Sequence, residues 1–449
     1  MEEGGGACVA VVGGAVAGAE VAGALADAGM RAVVFEQNPR PYGKIEDGLP
    51  RWHVELRKKE YERIRAHLER DEVEYVPLTR IGRDIPFPEL VDGWGFGAVV
   101  LANGAWRDRP LPVEGADAWV GRGLVYQNPF IIWWNHAEEE SYRGPRFEVR
   151  DDTLVVGGGL ASIDVVKVLM LETTREVLRG RGIEVDVVEL EVKGIPRTLA
   201  AHGLALGDLG LAGPTLFYRR QMRDMPLVEV PEGASPERVE KVMAGREKLL
   251  QKAMQKYCFS VEPLCMPDGL LVEKDRLVGL RFRRTEMVGG RPVPTDETFE
   301  RRGSCVISSI GSIPEPIEGI RMQGELFDFA DWDLGRLEAW PTVLSAGNIV
   351  TGKGNIVASR KHARQITSAM VEAFLGLGDG GRRAEAGLAD ALAERMREGA
   401  RQIAAAVRER SRPGAGSRAA LRERVAARQR AVGYDGDVAA WIARSLRSR

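Results

Sequence analysis

The segment that most constrains this chain is Gly13-Gly14-Ala15-Val16-Ala17-Gly18, a turn of small residues between two regular stretches. Before it, Cys8–Val12 is a short apolar run of β type. After it, Glu20–Ala28 has helical spacing and stops at Gly29. Arg31–Glu36 follows, with Ala32-Val33-Val34-Phe35 apolar and an acid at its end. Apolar strands that alternate with helices imply a parallel sheet covered on both faces. The crossover between two parallel strands is right-handed, which leaves few arrangements open.

A turn of this kind suits a dinucleotide phosphate. The first glycine makes the tight turn, a small residue lets backbone meet pyrophosphate, and the last glycine lets helix pack on strand. The helix start then offers free N–H groups to the phosphates. Gly13, Gly14 and Gly18 fill their roles, and Ala15 stands where the middle glycine is usual. Glu36, 23 residues after Gly13, is placed to accept from ribose hydroxyls. The competing reading is a plain tight turn.

The pattern returns in mid-chain. Thr153–Val156 reads as a strand, Gly157-Gly158-Gly159 as a turn, and Leu160-Ala161-Ser162 as the start of a helix that runs to Leu171. The partner strand, Thr215–Tyr218, ends in Arg219-Arg220 and not in an acid. Two guanidinium groups suit the additional 2′-phosphate of NADP; a solvated basic turn is the alternative. Ala98–Leu101 and Cys305–Ile310 are further buried-strand candidates, followed by Asn103-Gly104 and Gly311-Ser312. A third turn, Ser345 to Ile356, contains Gly347, Asn348, Gly354, Asn355 and Ile356 and leads into a helix through about Phe374. It offers a flavin site or an ordinary strand–helix connection.

Charge narrows the function classes. The 449 residues carry 63 basic and 65 acidic side chains, for a net charge of −2. Residues 382–449 alone hold 16 Arg against 8 acids, so the rest of the chain is about −10. That balance speaks against a nucleic-acid binder. The four cysteines, Cys8, Cys258, Cys265 and Cys305, form no CxxC pair, which argues against a disulfide framework or an iron–sulfur or zinc site and fits a reducing cytoplasm. No apolar run reaches membrane-spanning length. Ala7–Ala19 is uncharged, but Glu2 and Glu3 precede it without a basic residue, which is wrong for a signal sequence.

The three turns, in this order, resemble those of the flavoprotein pyridine-nucleotide reductases. Over about residues 7–375 the chain is most similar to the adrenodoxin reductase and NADPH–ferredoxin reductase group, and to the glutamate synthase small subunit without its iron–sulfur domain. Phe35-Glu36 through Pro41-Tyr42-Gly43-Lys44 resembles the stretch that wraps the FAD adenosine and diphosphate. Gly48-Leu49-Pro50-Arg51-Trp52-His53 resembles a segment ending in an active-site histidine. Asn103-Gly104 resembles the crossing between domains, and Phe130-Ile131-Ile132-Trp133-Trp134-Asn135 an aromatic motif of the group. Tyr218-Arg219-Arg220 resembles an NADPH phosphate loop. Gly347-Asn348 with Thr351-Gly352 resembles the C-terminal FAD motif, with Asn348 where Asp is usual.

The resemblance implies an α/β fold of two Rossmann-like dinucleotide-binding domains with a C-terminal helical extension. A discontinuous FAD domain, 1–106 and 331–378, would hold an inserted NADP domain, 107–330, and an Arg-rich extension would cover 379–449. The cofactors would be FAD and NADPH, and the acceptor an external ferredoxin or iron–sulfur protein or subunit. His53 would lie near the flavin as proton relay or positioning group; its alternative is a surface histidine ahead of the basic helix Arg57–Arg70. His136 would stand at the NADP entrance, and Trp133 and Trp134 would shield cofactor or core. The extension would either dock an acidic partner or pack on the body. A small-molecule reductase or monooxygenase, and a non-catalytic flavin-binding subunit, remain the alternatives. The sequence leaves oligomeric state open.

Overall fold

The computed structural model describes residues 7–140, 142–231, 233–350, 368–377, 381–410 and 418–447. Its elements begin with β1 (Cys8–Val12), α1 (Val16–Asp27), β2 (Arg31–Phe35), α2 (Gly43–Asp47), α3 (Val54–Leu68), β3 (Val73–Val76) and β4 (Ala98–Leu101). A second set follows: β5 (Leu124–Tyr126), α4 (Gln127–His136), β6 (Thr153–Gly157), α5 (Leu160–Gly180), α6 (Val187–Lys193), β7 (Thr215–Tyr218), α7 (Pro236–Tyr257) and β8 (Ser260–Pro263). Then come β9 (Cys265–Glu273), β10 (Arg276–Val288), β11 (Arg291–Arg302), β12 (Cys305–Ser309) and β13 (Val343–Ser345). The chain ends in α8 (Ser368–Phe374), α9 (Gly381–Arg410), α10 (Arg418–Val432) and α11 (Val438–Arg447).

Two parallel five-stranded sheets organise these elements. The first has the order β13-β4-β1-β2-β3 and the second β5-β12-β6-β7-β8. The first sheet's last strand follows the whole second sheet in sequence, so the second α/β unit is inserted into the first. Each sheet reverses its strand order beside its glycine turn: β1 lies between β2 and β4, and β6 between β7 and β12. Such switch points open a crevice at the carboxyl ends of the strands, where ligands bind. The strands are buried on both faces; Val9, Ala10, Val11, Leu154 and Val155 have no exposure. This explains their continuous apolar runs.

Residues 265–302, without an expected element, form an antiparallel meander of β9, β10 and β11. Leu280 and Phe282 of β10 are buried against the second sheet, and Phe282 stacks on Phe217 with centroids 4.1 Å apart. Arginines between them hide this alternation in the sequence.

The Arg-rich extension packs on the body. Ala400, Ile403, Ala404 and Val407 of α9 join the first unit's core with Tyr434, Val438, Trp441 and Ile442. The Trp441 indole donates to the Pro39 carbonyl at 2.7 Å. Arg395 of α9 also pairs with Glu229 of the second unit, at 2.6 and 3.0 Å. Residues 368–377 pack on α9 and beside α5, α6 and α7. There the buried Lys167 meets Glu191 at 2.7 Å, and the Tyr257 hydroxyl donates to Glu191 at 2.7 Å and to the Leu375 carbonyl at 2.9 Å. Burial pushes the Glu191 carboxyl up, but the Lys167 ammonium outweighs it and holds the group below its usual range. Removing one partner of such a buried pair costs about 3–5 kcal/mol.

Candidate functional site

A cleft of about 310 Å³ opens at the carboxyl end of the first sheet. Its walls include Gly13, Ala15, Val16, Glu36, Gly43, Lys44, Gly104, Gly347 and Asn348. The first and third sequence turns therefore meet in one place.

Close approach fixes the residue types here. A Cβ on Gly13, whose φ is +102°, would lie 2.6 Å from the Ala102 carbonyl oxygen. One on Gly18 would lie 1.8 Å from the Gly13 carbonyl oxygen. No rotamer relieves a contact between backbone atoms, so α1 can start this close to the strands only with glycine. Ala15 is tolerated because its neighbour gives room: a Cβ on Gly43 would come within 2.8 Å of the Ala15 methyl. Ala17 faces Gly347 in the same manner, also at 2.8 Å.

Glu36 is buried at the end of β2. Its carboxylate accepts from the Gly14 and Asn38 backbone N–H groups, each at 2.8 Å. Burial outweighs these bonds and pushes the carboxyl up to about 7. Lys44 crosses between the two units, its ammonium donating to Asn128 Oδ1 at 3.2 Å and Ser312 Oγ at 3.1 Å. Burial brings Lys44 down to about 8 and pushes nearby Asp108 up to about 6. Leu392 and Met396 on the cleft wall were not singled out in the sequence; both come from α9, far along the chain.

The second turn repeats the geometry. A Cβ on Gly157 would lie 2.5 Å from the Ser309 carbonyl oxygen and 2.8 Å from the Ser162 Cβ, so Gly157 makes room for Ser162. The Ser162 hydroxyl donates to the Gly159 carbonyl at 2.6 Å. The Tyr218 ring covers Gly158, where an added Cβ would lie 2.1 Å from it. Gly159 and Leu160 are half-buried and Ala161 is exposed at the start of α5. Arg219 is exposed beside this turn, whereas Arg220 donates to the Gly290 carbonyl in the β10–β11 turn. The Arg220 Nε is buried and has no hydrogen-bond partner among the described residues. The two arginines are thus unequal, a difference their adjacency in sequence does not reveal.

Other expected residues lie off the cleft wall. His53 is 2% exposed, so it is not a surface histidine. It accepts from the Trp52 indole at 3.1 Å and stacks on Phe374 at 4.2 Å. Trp133 packs on Phe130 and Phe147. Gly311, with φ +104°, is exposed beside Arg109 and precedes Ser312. Gly354, Asn355 and Ile356 fall outside the described residues.

His136 is sealed between the two units and not at an entrance. It is 5% exposed, with Nε2 2.9 Å from Asp47 Oδ1 and Nδ1 2.7 Å from Glu139 Oε1. Burial pulls the imidazole down, but the two carboxylates outweigh it and raise it above 6.5. A raised folded-state value means the imidazolium stabilises the fold fully below about 6.5, and this contribution drains away as pH rises through the raised value. His136→Gln should flatten that part of the pH profile of thermal stability. An unchanged profile in differential scanning calorimetry would exclude the imidazolium as its source.

No protein-family model matches the chain. Individual relatives do. Cindoxin reductase of Citrobacter braakii is 31% identical over 160 residues, covering 35% of this chain and 32% of that protein. The glutamate synthase [NADPH] small chain of Bacillus subtilis is 31% identical over 176 residues, covering 38% and 34%. The chain is thus similar, over about a third of its length, to proteins named cindoxin reductase, adrenodoxin oxidoreductase and glutamate synthase small chain. It spans about a third of the length of the curated relatives first matched. Mycobacterium tuberculosis FprA in complex with NADPH matches 94% of this chain and 99% of that one, at 20% identity and a TM-score of 0.57. That likeness is one of fold. Among the described residues no group of His, Cys, Asp and Glu is arranged to hold a metal ion, and no helix is long and apolar enough to cross a membrane.

Proposed function

We propose that this chain is an NADPH-dependent FAD oxidoreductase that passes electrons through its flavin to a ferredoxin-like or iron–sulfur partner. One observation carries the reading: two glycine turns stand at the switch points of two parallel sheets, and the neighbouring strands end in opposite chemistry. Glu36 closes the first and Arg219 stands by the second. An acid suits ribose hydroxyls and a guanidinium suits a 2′-phosphate.

In this reading the α1 start, with Gly13, Gly14 and Ala15, holds the FAD pyrophosphate, and Glu36 the adenosine ribose. Gly43, Gly104, Gly347 and Asn348 admit the rest of FAD along the cleft. Gly157, Gly159, Leu160, Ala161 and Ser162 hold the NADPH pyrophosphate, and Arg219, with Arg220 beside it, reads the 2′-phosphate. The bound flavin supplies hydride acceptance and single-electron release. The protein's work is to orient two rings and keep water from between them. His53, buried and stacked on Phe374, acts as a positioning group. The name of the adrenodoxin oxidoreductase relative supports a ferredoxin-type acceptor, and four unpaired thiols fit a reducing cytoplasm.

Anaerobic titration of the purified protein tests this. NADPH should bleach the flavin absorbance bands and NADH should do so poorly. A flavin that stays oxidised under excess NADPH would overturn the reductase reading.

A further inference from the structure

The loop that leaves β7 carries Arg219 and Arg220, and the β9–β11 meander holds its backbone. The Thr285 hydroxyl of β10 donates to the Arg219 carbonyl at 2.8 Å. The Leu264 N–H, just before β9, donates to the Arg220 carbonyl at 3.2 Å. The Leu264 carbonyl in turn accepts from the Thr285 N–H at 2.9 Å. Both carbonyls of the arginine pair are therefore fixed, while the Arg219 side chain stays exposed beside the glycine turn.

This attachment comes from an irregular strand pair. Leu280 and Phe282 of β10 are buried, and alternation would bury Arg284 next. Instead Arg284 is half-buried over the Phe299 ring, 4.2 Å from its centroid, and Thr285 is only 5% exposed. The register with β11 slips at this point: Arg283 pairs with Thr298 but Thr285 with Pro294, so β11 carries extra residues opposite Arg284. A bulge bends and twists a strand pair and re-aims the side chains next to it. Thr285 is the first paired residue past this one. Leu264 is constrained as well, with φ +55°, a left-handed conformation uncommon outside glycine. Such backbone persists only where its surroundings fix it.

An arginine reads a phosphate through a planar fork of donors, and the direction in which its side chain leaves the backbone decides where the fork can reach. A bond to the Arg219 carbonyl holds the backbone torsion on the C-terminal side of the Arg219 Cα. We infer that Thr285 is a positioning residue for nucleotide choice: its hydroxyl holds the β7-end backbone so that the Arg219 guanidinium meets a 2′-phosphate. This rests on the reading above in which Arg219 recognises NADPH. It makes the meander part of the support of the nucleotide site.

Calorimetric titration of the full chain with NADP+ and with NAD+ provides the test. Thr285→Val keeps the shape, removes the donor and leaves the Arg219 carbonyl without it. The NADP+-to-NAD+ affinity ratio should fall about three- to tenfold, the range for one lost hydrogen bond, with NAD+ affinity unchanged. Thr285→Ser keeps the hydroxyl and should keep the wild-type ratio. In an Arg219→Ala background, Thr285→Val should change the ratio no further, because the group that it positions is gone. Thr295→Val is the control: the Thr295 hydroxyl donates at 3.2 Å to the Arg284 carbonyl of the same hairpin, and not to the arginine pair. It should leave the ratio unchanged. A wild-type ratio in Thr285→Val, an equal loss for both nucleotides, or a full effect that persists without Arg219 would overturn the inference and leave the Arg219 reading standing. An Arg219→Ala ratio that does not move would overturn that reading and this inference with it. Should Thr285→Val not fold, Thr285→Ala makes the same comparison.

Discussion

Gly18→Ala is expected to destabilise the protein by about 3 kcal/mol and to leave it nearly free of flavin after purification. The added methyl has nowhere to go. It would lie 1.8 Å from the Gly13 carbonyl oxygen, and Gly13 cannot retreat. The Gly13 N–H is tied to the Phe35 carbonyl at 2.8 Å, and its Cα faces the Ala102 carbonyl. Relief would require α1 to lift off the sheet, which would withdraw its N-terminal N–H groups from the pyrophosphate. Ala15→Gly is the contrast. Its methyl meets the space left by Gly43, so its loss should cost only about 1 kcal/mol, mostly backbone entropy. Denaturant unfolding together with flavin content per chain would measure both. Equal effects at the two positions would mean that the turn yields where the geometry says it cannot.

Arg219→Ala is expected to weaken NADPH by about ten- to a hundredfold, the range for a lost charge-assisted hydrogen bond, with NADH little changed. Arg219 is exposed at the end of β7, next to the open start of α5. Arg220→Ala should have a smaller effect on the NADPH-to-NADH ratio, because its guanidinium is already engaged by the Gly290 carbonyl. Comparing kcat/KM for the two nucleotides in each variant separates these effects. A ratio unmoved in Arg219→Ala would place nucleotide choice elsewhere, with Arg223 ruled into ion pairing by Glu240.

Sequence alone determined the two βαβ openings, their glycine turns, and the acid and arginines at the partner strands. It could do so because these are local: a buried parallel strand needs a continuous apolar run, and a backbone turn packed against another backbone needs glycine. The resemblance then ordered three turns into one architecture. Local signals failed where partners lie far apart in sequence. The β9–β11 meander hid behind arginines paired with Asp268, Glu262 and Glu273. The helix Ser368–Phe374 follows the first sheet's last strand in sequence, yet buried Lys167 and Tyr257 hold the chain just beyond it against the second unit. Arg219 and Arg220 are neighbours with unequal freedom because a turn 70 residues away claims one of them. Leu392 and Met396 reach the wall of the first-sheet cleft from α9, more than 300 residues after its glycine turn. Periodicity tells which face of an element is buried; only the packed structure tells what that face is buried against, and so which polar atoms are left for a ligand.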